Sequence, residues 1–127
     1  ALPFGPARAA VLDGMRGVVR GDGDGTGARA GRALGAAALD LYGKTGTAEG
    51  DGTPRGPTPV SRFVFGGRAR AGMPATLALC PAVGAVLVEH ERDAAGRLAA
   101  VELFADELAP VLARRLGWDG TSGCPGR

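Results

Sequence analysis

The chain has 127 residues, a length that holds one modest domain. Its 15 Lys and Arg against 13 Asp and Glu leave a formal charge of +2, with the basic residues scattered, so neither nucleic acid nor an anionic membrane is indicated as a partner. No stretch approaches the roughly 20 apolar residues of a membrane-spanning helix, the first residues do not read as a secretory signal, and 45% apolar residues beside 23 glycines and 9 prolines fit a folded domain with a small-residue core and long loops.

Residues 7–19 read as a helix. Val11, Met15 and Val18 fall at i, i+4 and i+7 with Leu12 and Val19 beside them, Pro6 suits a first helical turn, and Gly14 and Gly17 weaken the segment. Residues 21–27, GDGDGTG, read as a solvated loop: Asp22, Asp24 and Gly27 imitate the start of a calcium loop, but the twelfth position is Ala33, where a bidentate Glu is required. Residues 28–38 suit a short helix. Residues 39–49 read as a strand, with Leu39, Leu41 and Gly43 alternating with Asp40, Tyr42 and Lys44. Residues 50–59, with prolines at 54, 57 and 59, form a turn-rich connection to a second strand at 62–69, built around Phe63-Val64-Phe65. After a turn at Gly72-Met73-Pro74, residues 76–79 and 85–90 are strand material interrupted at Pro81, and 92–97 form a polar turn. Residues 99–116 are helical, with Val101, Phe104, Ala105, Leu108, Val111 and Leu112 on one face; Pro110 kinks the helix or starts a second one, and Gly117 stops it. The order helix, strand, strand, strand, helix predicts an α+β fold, an antiparallel sheet flanked by helices. Residues 117–127 are expected to be a disordered tail. Cys80 and Cys124 lack metal-ligand spacing; a disulfide between them is open, and the expected mobility of the tail argues against it.

The stretch that carries chemistry is LYGKTGTAEG, residues 41–50. Gly43-Lys44-Thr45 ends like a phosphate-binding loop, but the glycine that should open such a loop is Ala38, and Gly46 spoils the helix that should follow. On a strand the same residues make a different device. Lys44 supplies a positive charge near a nucleophile or an anionic group, and a threonine hydroxyl can donate to a substrate carboxylate. Gly46 lets a substrate lie flat against the strand, and the Thr47 N–H points at a developing oxyanion. Alternation puts Lys44 and Gly46 on one face and Thr45 and Thr47 on the other; a bulge or strong twist at an edge would bring all four to one groove.

Leu12-Asp13-Gly14-Met15-Arg16-Gly17-Val18-Val19, Gly25-Thr26-Gly27 and Gly43-Lys44-Thr45-Gly46-Thr47-Ala48-Glu49 together resemble, in order and spacing, the serine penicillin-binding proteins, the D,D-transpeptidases that cross-link peptidoglycan. Arg62-Phe63-Val64-Phe65-Gly66-Gly67 is similar to that family's next strand, where arginine stands in place of the usual tryptophan. Ala85-Val86-Leu87-Val88-Glu89 and Ala109-Pro110-Val111-Leu112 resemble its following strand and final helix. The resemblance implies the C-terminal part of a β-lactamase/transpeptidase-like fold over residues 1–116. It implies catalytic roles for Lys44 and Thr47, substrate binding by Thr45, Gly46 and Thr47, no cofactor and no metal. The implied partners are peptidoglycan stem peptides, β-lactams and the N-terminal remainder of the domain. The implied location is periplasmic or otherwise extracytoplasmic, anchored through a region upstream, with no membrane contact by this segment.

In the family a serine of an S-x-x-K motif forms an acyl-enzyme and an S-x-N motif assists proton transfer. Ser61 and Ser122 are the only serines here and belong to neither motif. The chain alone is therefore expected to be inactive, one side of a cleft whose nucleophile lies elsewhere. The alternative is a non-catalytic relative that binds peptidoglycan or a cell-wall partner through the same groove, and a third reading is an unrelated α+β domain with a chance KTGT. His90, without an acid or cysteine nearby, reads as structural, Glu49 is a weak proton-transfer candidate, and Arg114-Arg115 suit a helix C-terminus. An isolated piece of such a fold is expected to expose an apolar sheet face and to be marginally stable.

Overall fold

A computed structural model describes residues 5–35, 37–48, 60–72, 79–89, 99–120 and 124. In chain order they form α1 (Gly5–Val19), α2 (Ala28–Ala33), β1 (Leu39–Ala48), β2 (Val60–Ala69), β3 (Ala82–Glu89), α3 (Ala99–Leu103), a π-helical turn (Phe104–Leu108) and α4 (Ala109–Leu116). The three strands make one antiparallel sheet in the order β1-β2-β3, and the fold is mixed α+β as the pattern predicts.

The apolar face of α1 narrows toward its C-terminus: Val19 is buried, Leu12, Met15 and Val18 are half-buried and Val11 stands in solvent. The loop after it folds tightly back, with Gly27 N–H donating to Val18 C=O at 3.0 Å. A Cβ on Gly31 would lie 1.7 Å from the Val19 carbonyl oxygen, so only glycine lets α2 approach the end of α1 this closely. α2 ends at Ala33, short of the expected 38. Gly31 and Gly35 weaken the run, and the chain must turn so that buried Leu34, Ala38 and Leu39 enter the core.

β1 and β2 pair without interruption from Leu39↔Ala69 to Ala48↔Val60, and β2 and β3 from Val60↔Glu89 to Gly67↔Ala82. β3 thus begins at Ala82, earlier than expected, while Leu79 is buried outside any strand. The other residues of the expected strand at 76–79, the connection at 50–59, the turn at 92–97, and Glu49, His90 and Ser122 lie outside the described residues.

One face of the sheet carries the core. Phe63 and Phe65 point into it and meet Phe104, with ring centroids 5.0 and 4.6 Å away. Trp118 packs edge-on against Phe65. The glycines that crowd the sequence have a use here. A Cβ on Gly67 would strike the Trp118 ring at 2.5 Å, and one on Gly84 the Phe65 ring at 2.6 Å. At the start of the covering helix the buried Ser61 Oγ accepts the Ala100 N–H at 3.0 Å, satisfying a donor that no helical carbonyl reaches.

Pro110 sits in the first turn of α4, as the expectation of a second helix starting there has it. The π turn just before it, closed by Ala109 N–H donating to Phe104 C=O, carries the helix through, and its flanking residues keep right-handed helical backbone. The extra residue in that turn advances the buried face by one position. Ala109 is buried and Leu112, Ala113 and Leu116 are half-buried, while Val111, expected inside, is exposed.

The expected disordered tail is corrected in part. Gly117, in left-handed conformation (φ 69°), ends the helix as predicted, but Trp118 is fully buried and its Nε1–H donates to Cys80 C=O at 2.8 Å. Cys80 N–H in turn donates to Leu116 C=O, and Cys80 is joined to Cys124 by a disulfide. The indole and its hydrogen bond hold the tail where the second cysteine can reach. No helix among the described residues is long and apolar enough to cross a membrane.

Candidate functional site

Lys44, Thr45, Gly46 and Thr47 occupy the second half of β1, which has a strand neighbour on one side only. The ladder is regular through all ten pairs, so the bulge that would gather the four side chains into one groove is not there. Lys44 and Gly46 stay on one face, Thr45 and Thr47 on the other. What the strand shares with both faces is its free edge.

The phase of the ladder decides which backbone groups reach that edge. Arg70 N–H donates to Ala38 C=O at 2.8 Å, and these two residues are directly opposed in register just beyond Leu39↔Ala69. Directly opposed residues that exchange bonds recur every second position in an antiparallel pair. Lys44 and Gly46 therefore turn their backbone groups toward β2, and Thr45 and Thr47 turn theirs toward the edge. The Lys44 ammonium agrees with this phase, for it donates to the Thr45 carbonyl at 2.6 Å.

Each side chain then has its place. Lys44 is exposed on the sheet face opposite the Phe63–Phe104 core, the face on which Arg16 of α1 reaches Asp40 at the start of the strand. A Cβ on Gly46 would meet nothing within 4 Å. By contrast the rings of Phe63, Tyr42, Trp118 and Phe65 fill the space at the other strand glycines, Gly43, Gly66, Gly67 and Gly84. Thr45 is buried and its hydroxyl is hydrogen-bonded to that of Thr26. Of the two threonines proposed to hold a substrate carboxylate, only Thr47 is exposed.

Thr26 is a residue to which sequence reasoning gave no role; the Gly-Thr-Gly element that contains it was the one signal. It ties the loop between α1 and α2 to the middle of β1. Asp40 ties down the start of the same strand, accepting from Arg16 at 2.7 and 2.9 Å and from Arg68 at 3.0 Å. Hydrogen bonds from Arg16, then from Arg68, hold the Asp40 carboxyl below its ordinary value against the opposing effect of burial. Two recesses of about 370 and 460 Å³ border this start of β1, both lined by Arg16 and Arg70 and neither by the KTGT residues. Among the described residues the candidate site is a strand edge.

Beyond that edge the same sheet face is apolar and bare: Val83 is 79%, Leu87 63% and Val64 45% exposed. Among the described residues no group of three or more His, Cys, Asp or Glu side chains is placed to hold a metal ion. Ser61, with its hydroxyl buried and accepting from Ala100, is not poised as a nucleophile. Compared with known proteins, the chain matches no family model, no curated protein and no solved structure.

Proposed function

We propose that this chain is the C-terminal part of a serine D,D-transpeptidase, a penicillin-binding domain, and that it supplies the strand edge along which substrate lies. The observation that carries the reading is the pairing of an outward-facing Thr47 backbone N–H with open space over Gly46, on an edge strand that also bears Lys44. A peptide or β-lactam lying against this edge has its carbonyl oxygen within reach of the Thr47 amide. When a serine oxygen adds to that carbonyl carbon, the C=O electron pair moves onto the oxygen, and the amide hydrogen bond stabilises the anion formed. Lys44 adds positive charge on the neighbouring face, and the Thr47 hydroxyl donates to a substrate carboxylate. Thr45, through Thr26, fixes the strand rather than touching substrate.

The serine belongs to another segment, since Ser61 is committed to the helix start. Val83, strongly exposed at the other end of the face that Lys44 shares, suits contact with that segment. The Cys80–Cys124 disulfide supports an oxidising, extracytoplasmic setting. The test is the intact mass of the native polypeptide that contains this segment, before and after exposure to a penicillin. One drug-sized adduct is expected. A polypeptide that takes up no adduct would refute the transpeptidase and leave the non-catalytic peptidoglycan binder, separable by ligand binding.

A further inference from the structure

We infer that Arg62 and Lys44 together form an anion subsite above Gly46, which selects peptides carrying an acidic side chain; this rests on reading the KTGT edge as the strand along which a peptide lies. The register places the parts. Gly46 is directly opposed to Arg62 and Lys44 to Val64, and all four positions share the bare face of the sheet. Lys44 and Arg62 are diagonal neighbours, about 7–8 Å apart at the backbone. Both are exposed, and Gly46 leaves the corner between them without a side chain.

The arginines Arg16, Arg29 and Arg68 are each paired with an Asp or Glu, whereas Arg62 makes no ion pair or hydrogen bond among the described residues. The acid of β3 on this face, Glu89, is opposed to Val60, on the side of Arg62 away from Lys44, and forms no ion pair with it. Neither cation has an anionic partner among the described residues, and the Lys44 ammonium rests on the Thr45 carbonyl at 2.6 Å. Val64 and Leu87 give that anion an apolar shoulder.

A peptide added to the free edge of β1 sends alternate side chains to the two faces of the sheet. One of them passes over Gly46. A carboxylate on that side chain reaches both the Lys44 ammonium and the Arg62 guanidinium, while an amide of the same shape gains no charge-assisted bond. Arg62 is thus a specificity-determining residue.

The test uses two probes, acetyl-Glu-D-Ala-D-Ala and acetyl-Gln-D-Ala-D-Ala, titrated into the 127-residue chain at low ionic strength while the amide signals of Gly46, Thr47 and Arg62 are followed by NMR. The acidic probe is expected to bind about three- to tenfold more tightly. The preference should fall to none in Arg62→Gln and persist in Arg62→Lys, both at exposed positions that leave the fold intact. A preference that survives Arg62→Gln unchanged would overturn the assignment. Equal binding of both probes to the wild type, still shifting Gly46 and Thr47, would overturn it while leaving the substrate strand standing. Probes that shift neither residue would remove both.

Discussion

The two faces of the sheet are made by the same three strands with the same alternation, yet they do different things. On one, Phe63, Phe65 and Val86 are buried beneath Phe104 and Trp118. On the other, Val64, Val83 and Leu87 stand in solvent beside Lys44 and Arg62. The strand glycines divide in a related way: rings close the space at Gly43, Gly67 and Gly84 on the covered face and at Gly66 on the bare one, and among the described strand glycines only Gly46 opens onto nothing. Stability is therefore concentrated on the helix side. The bare face and the adjoining edge of β1 are where the molecule has surface left to use, since contiguous exposed apolar side chains mark interaction sites more often than accidents.

The sharpest way to break this comparison is to truncate one side chain on each face. Phe104→Ala should cost about 3–5 kcal/mol in urea denaturation, whereas Val83→Ala should change stability by no more than about 0.5 kcal/mol. A core-sized loss at Val83 would mean that something covers this face in solution. Reducing the Cys80–Cys124 disulfide should cost about 2–4 kcal/mol. It should also alter the fluorescence of Trp118, the only tryptophan, because the indole and Cys80 are joined by a hydrogen bond.

The glycines sharpen the contrast at smaller scale. Gly67→Ala places a methyl group against the Trp118 ring and should destabilise by about 1–3 kcal/mol. Gly46→Ala should leave thermal stability unchanged or slightly raised, while a bulkier Gly46→Val blocks the edge to peptide. A pH-dependent effect is expected at the start of β1. Asp40 has a folded-state value below its ordinary 3.8, so its contribution is present above that pH and is lost as the pH falls through the lower folded value. Asp40→Asn should flatten this acid limb and cost about 1–3 kcal/mol at neutral pH, since two arginines lose their partner.

The first two strands and the last helix were legible because local pattern decided them: apolar strand runs read over residues 39–49 and 62–69, found at Leu39–Ala48 and Val60–Ala69, and a helical period over 99–116. The inward set of the last helix was legible at Val101, Phe104, Leu108 and Leu112 and failed at Val111, which is exposed. Beyond Phe104 the π turn, induced next to Pro110, moved the period by one, and no hydropathy pattern announces that turn. The disulfide was not legible because its geometry is set by distant partners, Leu116 and Trp118 acting on Cys80. Within the site, KTGT itself was plain. Its neighbours were not: Thr26 reaches Thr45 through the packing of a loop, and Arg62 comes to face Gly46 only through a register set across the connection at 49–59.

The central claim is that the edge of β1 stands open at Thr47 with its amide turned outward. Residue-resolved amide hydrogen exchange along β1 tests it most directly. Alternation is expected, with Lys44 and Gly46 protected by their bonds to β2 and Thr47 exchanging at least about tenfold faster than Gly46. Uniform protection through residue 48, or the opposite phase with Gly46 fast and Thr47 slow, would contradict it and remove the oxyanion contact on which the proposed function stands.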